Sequence, residues 1–213
     1  MSKNKEIIES LNWRYATKKF DPTRKISNED LETIKESLRL TPSSYGLQPW
    51  KFLIIENLEL RSQLREHSWG QAQVTDASHL IVLCTYTDVS DEFINAHIAN
   101  TSETRNVDPS TLLGYGNFVK SKMKNLSLEQ KKIWNSKQAY IALGQLMAVC
   151  AKLRIDTTPM EGFEPEKYNE LLGLNARGLH TTLVCPLGYR SQEDVAQFNP
   201  KVRRSMEEIF ETI

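Results

Sequence analysis

No stretch of this 213-residue chain approaches the ~18 consecutive apolar residues that cross a bilayer, which excludes a transmembrane helix. An excess of charge is also missing: 27 Lys and Arg face 27 Asp and Glu, for a formal net charge of zero. Without a gathered basic surface, neither a nucleic-acid nor a membrane partner is expected, and any bound anion must be met by a few locally placed cations. Cysteine is scarce. Cys84, Cys150 and Cys185 stand apart in apolar settings, with no spacing for a metal site, a disulfide framework or a redox pair. They read as core thiols of a reducing compartment. The start, MSKNKEIIESLNW, lacks an apolar h-region, so the expected location is the cytoplasm. His67, His79, His97 and His180 show no metal-ligand spacing and read as structural; no metal is expected. The absence of GxGxxG, Walker A and Gly-x-Ser-x-Gly patterns disfavours the nucleotide-binding and hydrolase folds that carry them.

What is present fits one α/β domain, since domains commonly run ~100–200 residues. Ile7, Ile8 and Leu11 give the opening segment a helical apolar face that runs into the basic stretch Arg14 to Lys19. Ser27 with Asp30 marks a helix N-terminus, and that helix must stop before Pro42. Trp50 to Ile55, His79 to Tyr86 and Leu179 to Leu187 read as buried strands, and Asp156 to Pro159 as a short extended piece. Residues from about 90 to 125 read as a mobile helical excursion that covers something. Ser127 with Gln130 opens a long core helix to about Leu153, and Pro165 to Leu172 is a short helix ended by Gly173. Residues 205–213 are a helix by propensity, but Ile209, Phe210 and Ile213 make an arm that a small monomer cannot easily bury; the other reading is a strand added to a partner's sheet.

Four short motifs carry chemistry. Arg14-Tyr15-Ala16-Thr17-Lys18 sets a guanidinium and an ammonium four residues apart, a pair suited to phosphate through the Arg fork and the compact Lys charge. Pro42-Ser43-Ser44, running to Gln48-Pro49-Trp50, is a restrained loop of small hydroxyl residues that can lie against a planar ligand. Pro159-Met160-Glu161-Gly162 is a turn able to offer a backbone N–H to a flavin nitrogen. Pro200-Lys201-Val202-Arg203-Arg204 is a second basic cluster that can converge with the first on one dianion. Taken singly, each has a plainer alternative as a solvated run or an ordinary connection.

Read in order, RYATKKFD, PSSYGLQPWKFLII, QVTDASHLIVLC, DTTPMEGF, and HTTLVCPLGYR with PKVRR resemble the FMN-dependent NAD(P)H nitroreductases, nearest to the oxygen-insensitive nitroreductase and dihydropteridine reductase subgroup. The resemblance covers nearly the whole chain. It implies an α+β nitroreductase-like fold, a central mixed β-sheet surrounded by helices, in one FMN-binding domain over residues 1–213. It also implies an intertwined homodimer with two FMN sites built from both subunits. By the same resemblance Arg14, Lys201 and Arg203 hold the FMN phosphate, Tyr15 and Ala16 add contacts, and Lys18 approaches the polar edge of the flavin. Pro42, Ser43 and Ser44 reach the flavin of the other subunit, and Pro159, Met160, Glu161 and Gly162 line its ring, Glu161 mainly through its backbone. Where the family has Asn and Lys ahead of the D-A-S-H stretch, this chain has Gly70 and Gln73, with Gln71 as the nearest replacement; Tyr15 and Ala16 replace a frequent His and Ser. Tyr45 and Phe118 match substrate-facing positions.

The implied activity is ping-pong hydride transfer from NADH or NADPH, through FMN, to nitroaromatics, quinones or related small electrophiles. No side chain need act as a catalytic nucleophile, because the flavin carries the chemistry. The rival readings are other flavin chemistry on the same fold, such as dehalogenation or enone reduction, and a flavin-binding module without turnover.

Overall fold

Hydroxyl side chains start the helices where the sequence places them. The computed structural model describes residues 2–213. Ser2 caps α1 (Lys3–Trp13), and Ser27 caps α2 (Asn28–Arg39) by accepting the Asp30 N–H at 3.1 Å. Strand β1 (Trp50–Ile55) leads through α3 (Leu58–Glu66) and the single turn α4 (Gln73–Asp76) to β2 (His79–Tyr86). The excursion folds as α5 (Asp91–Arg105) and α6 (Leu113–Lys124). The capping box of Ser127 and Gln130 then opens α7 (Leu128–Lys152), followed by β3 (Asp156–Thr157), α8 (Pro165–Leu171), β4 (Leu179–Gly188) and α9 (Met206–Ile209).

The sheet order is β1-β2-β4-β3, and every ladder between these strands is antiparallel. Its parallel component is one bridge, Ala16 to Thr157. A strand sends successive side chains to opposite faces. Accordingly, Ile81 and Leu83 of β2 pack with Leu31, Ile34 and Leu38 of α2 and Ala142, Leu143, Leu146 and Cys150 of α7. On the opposite face Leu80, Val82 and Cys84 meet Leu64 of α3, Val74 of α4 and Tyr168 of α8. Both faces are covered, and β2 is apolar without a break from Leu80 to Cys84. All three thiols lie in this core, and burial pushes those of Cys84 and Cys185 up to about 12, which makes them inert.

The excursion has a small core of its own, Leu47, Val89, Ile94, Val119 and Met123, with Tyr45, Phe93, Ile98 and Trp134 packed around it. By contrast the apolar face of α1 meets little protein, since Ile7, Ile8 and Leu11 are all exposed. The terminal arm is a single helical turn followed by extended chain. Ser205 and Glu208 form a capping box on the one turn of α9, and Phe210 returns to extended dihedrals. Val202, Met206, Ile209, Phe210 and Ile213 are exposed. Among the described residues no helix is long and apolar enough to cross a membrane.

Candidate active site

The two basic clusters, remote in sequence, meet in space. Arg14 is the C-cap residue of α1, and the Lys201 ammonium donates to its backbone carbonyl. Arg14, Tyr15 and Ala16 form one wall of a cleft of about 350 Å³, with Lys201 and Arg203 on the other. Among the described residues no Asp or Glu lines it. Among the described residues none of these three cations is in an ion pair, and the buried Arg14 Nε has no hydrogen-bond partner. Burial and then the nearby Arg203 charge lower the Arg14 pKa; burial, Arg14 and Arg203 lower that of Lys201. Like charges held together without a counter-charge are costly, and a bound anion relieves that cost. The donor set suits a phosphate dianion.

Buried carboxylates, which the sequence reading missed, fix this wall. Asp194 accepts from Tyr15 OH and the Lys18 N–H, both at 2.7 Å, and from the N–H groups of Lys19 and Ala196 at 3.1 and 3.0 Å. Its burial pushes the carboxyl pKa up, but these donors outweigh that and hold it below the ordinary range. Burial and then the Asp194 contact raise the Tyr15 phenol, keeping it protonated. Asp156, 2% exposed, takes a forked contact from Arg190, whose guanidinium lies over the rings of Trp13 and Tyr15 at 4.1 and 4.5 Å. The only sequence signals were an acid in the apolar run IDTTPM and an arginine directly after a strand.

The third motif is joined to the first. Beyond the Ala16–Thr157 bridge, Thr158 Oγ1 donates to the Thr17 carbonyl at 2.7 Å, and Met160 bridges to Val184 of β4. The turn that follows is held at Gly162, whose carbonyl accepts from the Gln71 amide at 3.0 Å. A Cβ at Gly162 would sit 2.6 Å from the Trp69 ring. Among the described residues the N–H groups of Glu161 and Gly162 have no hydrogen-bond acceptor. The Glu161 carboxylate accepts from Tyr140 OH of α7, so its side chain also has a partner. The Gln71 amide is thus taken up by the turn, and the Gln73 side chain is enclosed by protein. Lys18 is exposed, with only its backbone held.

The second motif lies elsewhere in the same chain. The Ser44 N–H donates to Gln138 of α7 at 2.9 Å, and Ser43 Oγ accepts from the Gln48 N–H at 2.8 Å. Tyr45, in the left-handed region at φ 57°, stacks on Trp134 and meets Phe118 edge-on, each at 6.2 Å between centroids. The two positions matched as substrate-facing thus touch. Tyr45 also lines a cavity of about 400 Å³ against α5 and α6, while Phe118 packs behind the Tyr45 ring and does not line it. This cavity and the basic cleft share no lining residue.

The sequence profile of the Nitroreductase family matches residues 11–189. The chain belongs to the nitroreductase family. It is similar to YfkO of Bacillus subtilis, provisionally named an NAD(P)H nitroreductase, with 34% identity over 98% of this chain and 97% of the relative. Among solved structures it resembles the provisionally named nitroreductase ydfN of the same organism, with 18% identity, 99% and 100% coverage of the two chains and a TM-score of 0.88. It also resembles a provisionally named nitroreductase of Exiguobacterium sibiricum solved in complex with FMN, with 24% identity, 100% and 98% coverage and a TM-score of 0.81. The α+β fold that the family resemblance implied is the fold these structures share.

Proposed function

We propose that this nitroreductase-family chain is a cytoplasmic homodimer that binds FMN and transfers reducing equivalents from NADH or NADPH to nitroaromatics, quinones or related small electrophiles by a ping-pong sequence. The single observation that carries the reading is the cleft where Arg14, Lys201 and Arg203 converge with an unpartnered guanidinium nitrogen and no carboxylate. A phosphate-bearing flavin fits that donor set. Bound FMN would supply the hydride chemistry between nicotinamide and acceptor, in the cleft that Arg14, Lys201 and Arg203 line.

The chain's own residues bind and orient. Arg14 grips two phosphate oxygens through its fork, while Lys201 and Arg203 add charge. The free N–H groups of Glu161 and Gly162 offer the ring donors from a turn anchored to β4 through Met160. Lys18 would place its ammonium toward the polar edge of the flavin, where it favours negative charge. Pro42, Ser43 and Ser44 close the site from the second subunit, with Tyr45 and Phe118 toward the acceptor. The exposed apolar residues of α1 and of the 205–213 arm are the surface that a second subunit covers, since such patches mark interfaces. The unpaired buried thiols fit a reducing compartment.

The test is anaerobic addition of NADPH or NADH to the FMN-loaded protein, followed by a nitroaromatic. The reading expects loss of the flavin absorbance and its return with the acceptor. Flavin that neither nicotinamide bleaches would establish a binding module instead.

A further inference from the structure

The cavity of about 400 Å³ beneath Tyr45 has a composition that the flavin site does not explain. Tyr45 and Tyr115 supply aromatic wall, and Gly46, at φ +72°, lets the loop come so near that a Cβ there would lie 3.3 Å from His97 Cε1. Among the described residues the only full charge in the lining is Arg105, the last residue of α5. A last-turn arginine commonly serves its helix's own terminal carbonyls. Here, among the described residues, the guanidinium donates no hydrogen bond and joins no ion pair, and the left-handed Asn106 satisfies the helix end through its own N–H. His97 adds no second positive charge. Burial and then Arg105 itself lower its pKa, so it is neutral near pH 7.

We infer that this cavity takes a small planar carboxylic acid, its ring against Tyr45 and Tyr115 and its carboxylate on Arg105. A volume of this size lies within the ~300–1,000 Å³ of small-ligand sites, and a guanidinium fork matches a carboxylate in shape. This rests on the reading above that Tyr45 faces the acceptor, under which the acid is the electron acceptor. Arg105 then acts as a specificity residue and takes no part in the redox step.

The experiment is equilibrium binding to the FMN-loaded protein, comparing 4-nitrobenzoate with its neutral isostere 4-nitrobenzamide. Wild type is expected to favour the acid by about tenfold or more, the size of one charge-assisted contact. Arg105→Ala should abolish that preference and leave amide binding unchanged, while Arg105→Lys keeps part of it. Equal binding of acid and amide by wild type, or a preference that survives Arg105→Ala, would overturn the inference. So would an Arg105→Ala defect confined to NADP⁺ against NAD⁺, which would assign Arg105 to the donor's phosphate. Turnover is read separately: an Arg105-dependent acid preference without reduction driven by either NADPH or NADH upholds the cavity assignment and refutes the reductase reading.

Discussion

Arg14→Ala is the perturbation that separates a phosphate site from a solvated basic surface. In the wild type the side chain stands half-buried, with Nε unpartnered and the charge of Arg203 nearby. Removing the guanidinium takes away charge-assisted hydrogen bonds to the phosphate, worth ~1.5–3 kcal/mol, so the FMN dissociation constant should rise about tenfold to about a hundredfold. The free protein should not suffer a matching loss. The Lys201 ammonium bonds the Arg14 backbone carbonyl, which alanine retains, and the repulsion among the cleft's cations is relieved. Lysine at this position keeps the charge and loses the fork, so Arg14→Lys should fall between. The assay is quenching of FMN fluorescence at fixed ionic strength, with thermal unfolding of the flavin-free protein alongside. Added salt should weaken wild type more than the alanine variant. Unchanged FMN affinity in Arg14→Ala, or a loss explained wholly by unfolding, would refute the reasoning.

Asp194→Asn should cost ~1.5–3 kcal/mol of stability at neutral pH, as expected for loss of charged acceptor bonds. The folded-state pKa of Asp194 lies below the ordinary value, so its contribution is present above about pH 4 and is lost as pH falls through the folded value. Denaturant midpoints between about pH 6 and pH 3 should therefore fall less steeply in Asp194→Asn than in wild type; parallel curves would contradict this. Gly188→Ala would put a Cβ 2.9 Å from the Ser78 backbone nitrogen and 3.1 Å from the Phe20 ring, and overpacking of this kind typically costs ~1–3 kcal/mol, readable by chemical unfolding. Deleting residues 205–213 should shift the protein from dimer toward monomer in light scattering, and a truncated chain that stays a tight dimer refutes the arm's role.

Much of this was written in local chemistry. The runs WKFLII and HLIVLCTY become β1 and β2 with the limits read from the sequence, because their apolar residues pack on both faces of the sheet and only the exposed Lys51 breaks the apolar run of β1. The Ser127–Gln130 capping box opens α7 as its spacing dictates. Helix α3 escaped because its buried face consists of Leu64 and Arg61, too thin an apolar stripe to register. Asp194 and Asp156 escaped for a different reason. A carboxylate surrounded by donors from distant segments has no local signature, and the pairings Tyr15–Asp194 and Asp156–Arg190 exist only once the chain has folded. Pairing of the two basic clusters was legible as a possibility of charge, while the cleft itself needed the C-terminal segment laid across the end of α1.

Arg14, Lys201 and Arg203 are placed to hold a phosphate, and riboflavin is FMN without its phosphate. Titrating the flavin-free protein with both should give FMN binding about a hundredfold or more tighter than riboflavin, with the difference shrinking in Arg14→Ala. Equal affinity for the two flavins, or binding of neither, would contradict that phosphate site.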